Sequence, residues 1–230
     1  MPVMNPSTGE QIAETPCCTP EEMSAAVTAA KVAFSAWSGQ PFGNRNQLMY
    51  RFKRILDEHL EELTLLLATE MGKNLAEARG DVLKAIEVVE CACSTHYLMS
   101  GDTIMNVSSG YDTVSYREPL GVFAGIVPFN FPAMISFGWL IPFAITTGNT
   151  YVLKAASMVP QTAMRMLELL QEVKNHALVM RDCVLERSVL GVINSTYGCA
   201  GQRFMVLPVV VVEEAIAGKF VERLKYHAES

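Results

Sequence analysis

The sequence predicts an α/β fold, and three observations predict it. Residues 121–154 read as an apolar strand, a helix and a second strand in direct succession, the spacing of a right-handed parallel crossover. Before them lie stretches with helical apolar periodicity and explicit end signals. After them strand and helix patterns alternate again, including the very apolar VLPVVVV that implies a buried strand.

Taken in order, residues 1–18 carry the turn signals Asn5-Pro6 and Thr8-Gly9 between short apolar stretches, which predicts a small hairpin or arm. Thr19-Pro20-Glu21-Glu22 has capping-box spacing with proline at the first helical position, and Met23, Val27, Ala30, Phe34 and Trp37 follow at helical period. Leu48, Phe52, Ile55, Leu56, Leu63, Leu66 and Leu67 predict one second helix ending near Met71-Gly72, where glycine supplies a left-handed cap. A third helix is expected over 75–99, closed by Gly101, with Cys91 and Cys93 pointing to different sides. His59 and His96 fall within these predicted helices, as packed or surface histidines.

Residues 103–118 read as two strands around Ser108-Ser109-Gly110, a projecting hairpin with little core of its own and therefore a candidate for pairing with another subunit. The crossover comes next: strand 121–127, loop 128–132, helix 133–147, a Gly148-Asn149 turn and strand 150–154. Ligands in parallel sheets bind beyond the strand C-termini, so residues 128–131 and 154–157 are expected at one ligand-facing edge. A helix over 161–172 then runs into KNHALVM, a strand pattern, without the punctuation such junctions carry. A helix over 185–197, a polar loop, a strand over 205–212 and a helix over 214–226 complete the chain.

Composition narrows the function. With 230 residues, 50% of them hydrophobic, the chain can bury a core. A net charge of -6 and a pI near 5.3, with no cluster of lysine or arginine, argue against nucleic acid as a partner. The six cysteines have no metal-ligand spacing. No metal is expected, and free thiols fit a reducing, cytoplasmic setting. The N-terminus has no basic and apolar export pattern. Residues 119–153 carry no formal charge, a run longer than the ~20 residues that cross a bilayer. Pro128, Asn130, Pro132, Pro142, Gly148 and Asn149 divide it into pieces too short to span, so no membrane segment is expected.

At AGIVPFNFPAMI, GNTYVLKAAS, KNHALVM and GCAGQRFM the chain resembles the aldehyde dehydrogenase superfamily, most closely its CoA-acylating methylmalonate-semialdehyde dehydrogenase branch. NPSTGE, TEMGKNLAEARGDV and VEEAIAGKF extend the likeness across nearly the whole chain. The resemblance implies an incomplete Rossmann-type parallel sheet with flanking helices, the projecting hairpin, and a partial second α/β domain. It implies a partial NAD-binding domain over 1–102 and 119–172, an oligomerisation hairpin over 103–118 and a fragment of the catalytic domain over 173–230. Enzymes of that branch oxidise a semialdehyde with NAD through a cysteine thioester and release the acyl group to CoA.

Carried over residue by residue, the resemblance makes Asn130 the amide that donates to the oxyanion, with Val127 and Phe129 lining the cofactor. Lys154 matches the lysine that holds the adenosine ribose. Ser157 stands where the family has a glutamate for that ribose, with Met158 beside it. Arg203 and Lys84 match two arginines that grip the substrate carboxylate; lysine keeps the charge but loses the bidentate fork. Phe204 stands at the position of the nucleophilic cysteine, and Cys199, the nearest thiol, is expected to point elsewhere.

The family also carries, between positions matching 172 and 174, the rest of its cofactor domain with its glycine-rich phosphate turn, and it continues well beyond position 230. This chain is therefore expected to bind NAD weakly, to be inactive, and to be either a non-catalytic remnant or an oligomer-forming partner of a full-length homologue. The missing strands are expected to leave exposed sheet edges that favour association.

Overall fold

The structure, a computed structural model, describes residues 1–173, 176–179, 189, 209–212 and 214–229. The chain divides into two compact units, Met1–Gln171 and Glu172–Ser230.

The first unit opens with the expected hairpin, β1 (Pro2–Met4) antiparallel to β2 (Gln11–Glu14). Helix α1 (Pro20–Ser38) begins at a complete capping box: Thr19 Oγ1 accepts from Glu22 N at 3.2 Å, and Glu22 Oε2 accepts from Thr19 N at 2.7 Å. The helix forms as expected, but its apolar face is left bare. No residue of α1 is buried, and Met23 and Val27 are exposed. Only its second half is partly covered, where Trp37 Nε1 donates to the Ile145 carbonyl at 3.0 Å and the Ala30 carbonyl accepts from Thr150 Oγ1 at 2.9 Å.

The predicted second helix is two helices, α2 (Phe42–Glu58) and α3 (Leu60–Met71), broken at His59. His59 leaves helical geometry (φ -104°, ψ 14°) and places Nδ1 2.5 Å from Glu62 Oε2, so it is a junction residue and not a mid-helix one. Gly72 ends α3 in the left-handed conformation at φ 77°, which side chains with a Cβ resist. Helix α4 (Leu75–Ala92) stops before the predicted end at 99. Beyond it Cys93 N, Ser94 N and Thr95 N bond to carbonyls three residues back, and the Thr95 hydroxyl turns onto the Ala92 carbonyl, the competition that ends helices at Ser and Thr. His96 lies in this turn region, its ring 3.9 Å from that of Tyr97. Cys91 is exposed and Cys93 buried, as expected.

Strands β3 (Thr103–Ser108) and β4 (Tyr111–Val114) form the hairpin, and every residue in both is exposed. The crossover follows: β5 (Val122–Ile126), a π-helical stretch (Met134–Leu140) leading into α5 (Ile141–Thr146), and β6 (Thr150–Lys154). Pro142 lacks the N–H that α-helical bonding to Gly138 would need, which suits the wider turns before it. Strands β5 and β6 pair in parallel, Val122 opposite Thr150 through Ile126 opposite Lys154. Among the described residues the sheet has only these two strands, and Ile126 on β5 is 83% exposed. Helix α6 (Gln161–Glu172) closes the unit.

The core is helical. Met49, Phe52 and Leu56 of α2, Leu63 and Leu67 of α3, and Val82, Ala85 and Val89 of α4 are buried together with Phe137 of the π-helix. The Phe52 and Phe137 rings lie 5.9 Å apart, and a Cβ on Gly138 would come within 3.2 Å of the Ala85 Cα, so the two helices cross closely here. Polar groups sealed into this core join elements. Arg45 donates to the carbonyls of Thr146 (3.0 Å), Gln40 (2.8 Å) and Ser38 (3.3 Å). Asn149 Oδ1 accepts from Leu120 N and Gly121 N at 2.7 and 2.9 Å and so aligns the start of β5.

In the second unit β7 (His176–Val179) pairs in parallel with β8 (Val209–Val212), and α7 (Glu214–Glu229) follows β8 along the chain. Strand β7 begins four residues after α6 ends, the abrupt junction read from the sequence. The predicted helix over 185–197, apart from Val189, and the loop with Cys199, Arg203 and Phe204 lie outside the described residues.

Candidate functional site at the sheet edge

The parallel register brings the C-terminal ends of β5 and β6 together, and the Val127 N–H donates to the Lys154 carbonyl at 3.2 Å. This is the edge where such sheets hold ligands. It gathers most of the residues expected from the sequence: Val127, Phe129 and Asn130 after β5, and Lys154, Ser157 and Met158 at and after β6. Val127 is buried, while Phe129 and Met158 are exposed, at 54% and 65%.

Lys154 and Ser157 meet directly, Nζ donating to Oγ at 3.0 Å. The Ser157 carbonyl accepts from Thr15 Oγ1 at 2.8 Å, so the N-terminal arm anchors this loop. Lys154 therefore has a neutral hydroxyl as its neighbour, a shorter and weaker acceptor than a carboxylate.

Asn130 lies in a loop between two prolines, and its backbone carbonyl accepts from Lys73 Nζ at 2.8 Å. The same ammonium meets Asp81 Oδ2 at 3.0 Å and stands 4.1 Å from the centre of the Phe131 ring. The other carboxylate oxygen of Asp81 accepts from Met134 N at 2.9 Å. The Asp81 side chain is fully buried. Its burial pushes the carboxyl pKa up, and the Met134 N–H and Lys73 pull it back down.

Local sequence explains this convergence. Gly72 turns the chain after α3, Lys73 follows, and Asn74 caps α4 by accepting from Glu77 N at 2.9 Å, which sends Asp81 inward two turns later. Lys73 and Asp81 were missed as site residues in the sequence. The available signal was Asp81 itself, a lone carboxylate on a stripe with Ala78, Val82 and Ala85.

Lys84, one helical turn beyond Asp81, is exposed and pairs with the Glu87 carboxylate on its own helix. Arg203 and Phe204 lie outside the described residues. Among the described residues there is no cluster of His, Cys, Asp and Glu able to hold a metal, and no helix long and apolar enough to cross a membrane.

Comparison with known proteins bears on the family and the fold. The malonate-semialdehyde dehydrogenase 1 of Bacillus thuringiensis (strain Al Hakam) is 36% identical over 280 residues, covering 96% of this chain and 57% of that protein. The malonate-semialdehyde dehydrogenase of Bacillus cytotoxicus matches to the same extent. The chain thus spans little more than half the length of these relatives. The aligned length also exceeds the 230 residues of the chain, so the relatives carry residues inside the match that it lacks.

The solved methylmalonate-semialdehyde dehydrogenase of Oceanimonas doudoroffii superposes on all of this chain, and on 59% of its own, with a TM-score of 0.72 and 29% identity. The Sinorhizobium meliloti 1021 protein assigned as a methylmalonate-semialdehyde dehydrogenase, solved with NAD, superposes equally well at 26% identity. The profile described as "Aldehyde dehydrogenase family" matches residues 1–174 and 171–230, its two parts meeting at the unpunctuated junction after α6. A likeness that spans the whole chain and breaks where a segment is missing makes the assignment: the chain belongs to the aldehyde dehydrogenase family.

Proposed function

We propose that this chain is a non-catalytic member of the semialdehyde dehydrogenases that keeps part of their nucleotide-binding edge and has lost their nucleophile. The observation that carries the reading is Phe204 in the Gly-Gln-Arg-Phe stretch, where the family presents cysteine. A phenyl ring forms no thioester, so neither aldehyde oxidation nor acyl release to CoA has a covalent intermediate to pass through.

The residues present fit NAD in part. Lys154, at the end of β6, would hold the adenosine ribose, with Val127 and Phe129 beside the dinucleotide and Met158 at the rim. Ser157 supplies one hydroxyl where two ribose hydroxyls need acceptors. Neither β5 nor β6 is followed by a glycine-rich phosphate turn. When bound, NAD supplies the hydride acceptor; the chain's own groups bind and orient. Asn130 would donate to a carbonyl oxygen, and Lys84 with Arg203 would attract a carboxylate. Lys84, already paired with Glu87, attracts it weakly. On this reading, residues 1–102 and 119–172 are a partial NAD-binding domain and 173–230 a fragment of the catalytic one, in a chain that works in the reducing cytoplasm.

A second reading, a subunit within a homo- or hetero-oligomer, is favoured by the hairpin over 103–118. Ile104, Met105, Val107 and Tyr111 are all more than half exposed there, an apolar surface of the kind that pairs. Single-turnover measurement of NADH with malonate semialdehyde tests the main reading. No NADH burst is expected, and Phe204→Cys alone is expected to restore little turnover. A burst in the unaltered chain that Cys199→Ala abolishes overturns it.

A further inference from the structure

The loop over 128–132 presents Asn130 to solvent, yet little within the loop itself can hold it. Pro128 and Pro132 have no N–H to donate, and Phe129, Asn130 and Phe131 are all exposed. Besides the Phe131 carbonyl, which accepts from Ile135 N at 3.1 Å in the first turn of the following helix, the loop is held from outside at three points. Before it, the Val127 N–H binds the Lys154 carbonyl; after it, the Met134 N–H binds Asp81; in the middle, the Asn130 carbonyl binds Lys73.

The last two anchors are one unit, because Lys73 and Asp81 are paired at 3.0 Å with side chains only 14% and 0% exposed. A buried ion pair is weak evidence for stability, since its desolvation cost rivals its attraction. This pair does what an apolar pair cannot. It grips the backbone of an exposed loop on both sides of Phe131, over whose ring the ammonium also sits. Restraining the Asn130 carbonyl restrains the peptide plane that follows it and so narrows the directions its Cα–Cβ bond, and through it the amide, can take.

We propose that Lys73 and Asp81 are positioning residues that aim the Asn130 amide. The proposal rests on the reading of 128–132 as the oxyanion loop, but its test is independent of turnover. The test is the side-chain amide resonance of Asn130 in the 15N-labelled full chain, identified by its loss in Asn130→Asp. The unaltered chain is expected to give a resolved, ordered Nδ2 pair. Lys73→Met is expected to shift that pair and raise its mobility in 15N relaxation, Lys73→Arg to restore it, and Asp81→Asn to shift it in the same direction as Lys73→Met.

A purely structural role would lower the melting temperature and leave the Asn130 pair unchanged well below it; that result overturns the proposal. Failure of Lys73→Arg to restore the pair overturns it as well. If Lys73→Met does not fold, Asp81→Asn decides alone, and an unshifted Asn130 pair refutes the assignment. An NADH burst would remove the proposed function while leaving this result standing.

Discussion

Replacing Glu70 by alanine removes a carboxylate of α3 that is 2% exposed and caps a different helix, α6. Its Oε2 accepts from Gln161 N at 2.8 Å and its Oε1 from Thr162 N at 2.9 Å. The first N–H groups of a helix have no partner within it, and a buried one left unsatisfied costs ~1–3 kcal/mol. Two orphaned donors would together lose about 4 kcal/mol. Against this, alanine relieves the desolvation that pushes the Glu70 pKa up, leaving a net loss of roughly 2–3 kcal/mol, slightly beyond the ~0.5–2 kcal/mol of an ordinary cap. At this size about 1 kcal/mol moves the melting temperature ~2–4 °C, so a fall of about 5–10 °C is expected.

Calorimetric melts of the unaltered full chain, of Glu70→Ala and of the nearly isosteric Glu70→Gln would measure it. Glutamine keeps one acceptor and the volume, and should recover about half the loss. Because the folded carboxyl pKa lies above its ordinary 4.5, the folded state keeps a proton that the unfolded state has released. The Glu70 contribution therefore falls as pH rises from 4.5 into the raised range, then levels off, and Glu70→Gln should flatten that decline. Equal melting temperatures for the unaltered chain and Glu70→Ala, or equal losses for alanine and glutamine, would refute the capping argument.

Ser157→Glu returns a carboxylate beside Lys154 and is expected to tighten NAD binding about tenfold, equivalent to ~1.4 kcal/mol, in a calorimetric titration; unchanged affinity would contradict the ribose assignment. Asn149→Ala orphans the N–H groups of Leu120 and Gly121 and is expected to cost about 2 kcal/mol, read as a lower urea midpoint with unchanged slope. Thiol labelling mapped by mass spectrometry should modify exposed Cys17, Cys18 and Cys91 in the native protein and spare Cys93. Burial pushes the Cys93 thiol up to about 11, with Glu90 adding to it, so labelling of Cys93 as fast as Cys91 would refute its burial.

The elements legible in the sequence were those whose signals are local. Thr19 to Glu22 announced a capping box that forms as written, Gly72 its left-handed cap, and Gly148-Asn149 the turn into β6. The break at His59 was not legible, because apolar spacing continues through it from Leu56 to Leu63 and the interruption is a single residue's backbone angle. Nor was the exposure of α1. Met23 and Val27 have the spacing of a buried face, but periodicity states which side is apolar and not whether anything covers it.

The site divides the same way. Asn130, Lys154 and Ser157 could be named as candidates because their motifs stay contiguous along the chain, and the parallel crossover already required the two strand ends to meet. Lys73 and Asp81 were passed over because their importance is tertiary: eight residues apart in sequence, they act on a loop more than fifty residues away.

By itself the sequence determined the family and the α/β class, since each is a matter of residue identity and order. Only the tertiary structure decided which polar groups are sealed inside, which apolar faces remain bare, and that a buried lysine–aspartate pair holds the Asn130 loop. Burial and hydrogen bonding belong to pairs of surfaces brought together in space, and a linear pattern names one surface at a time.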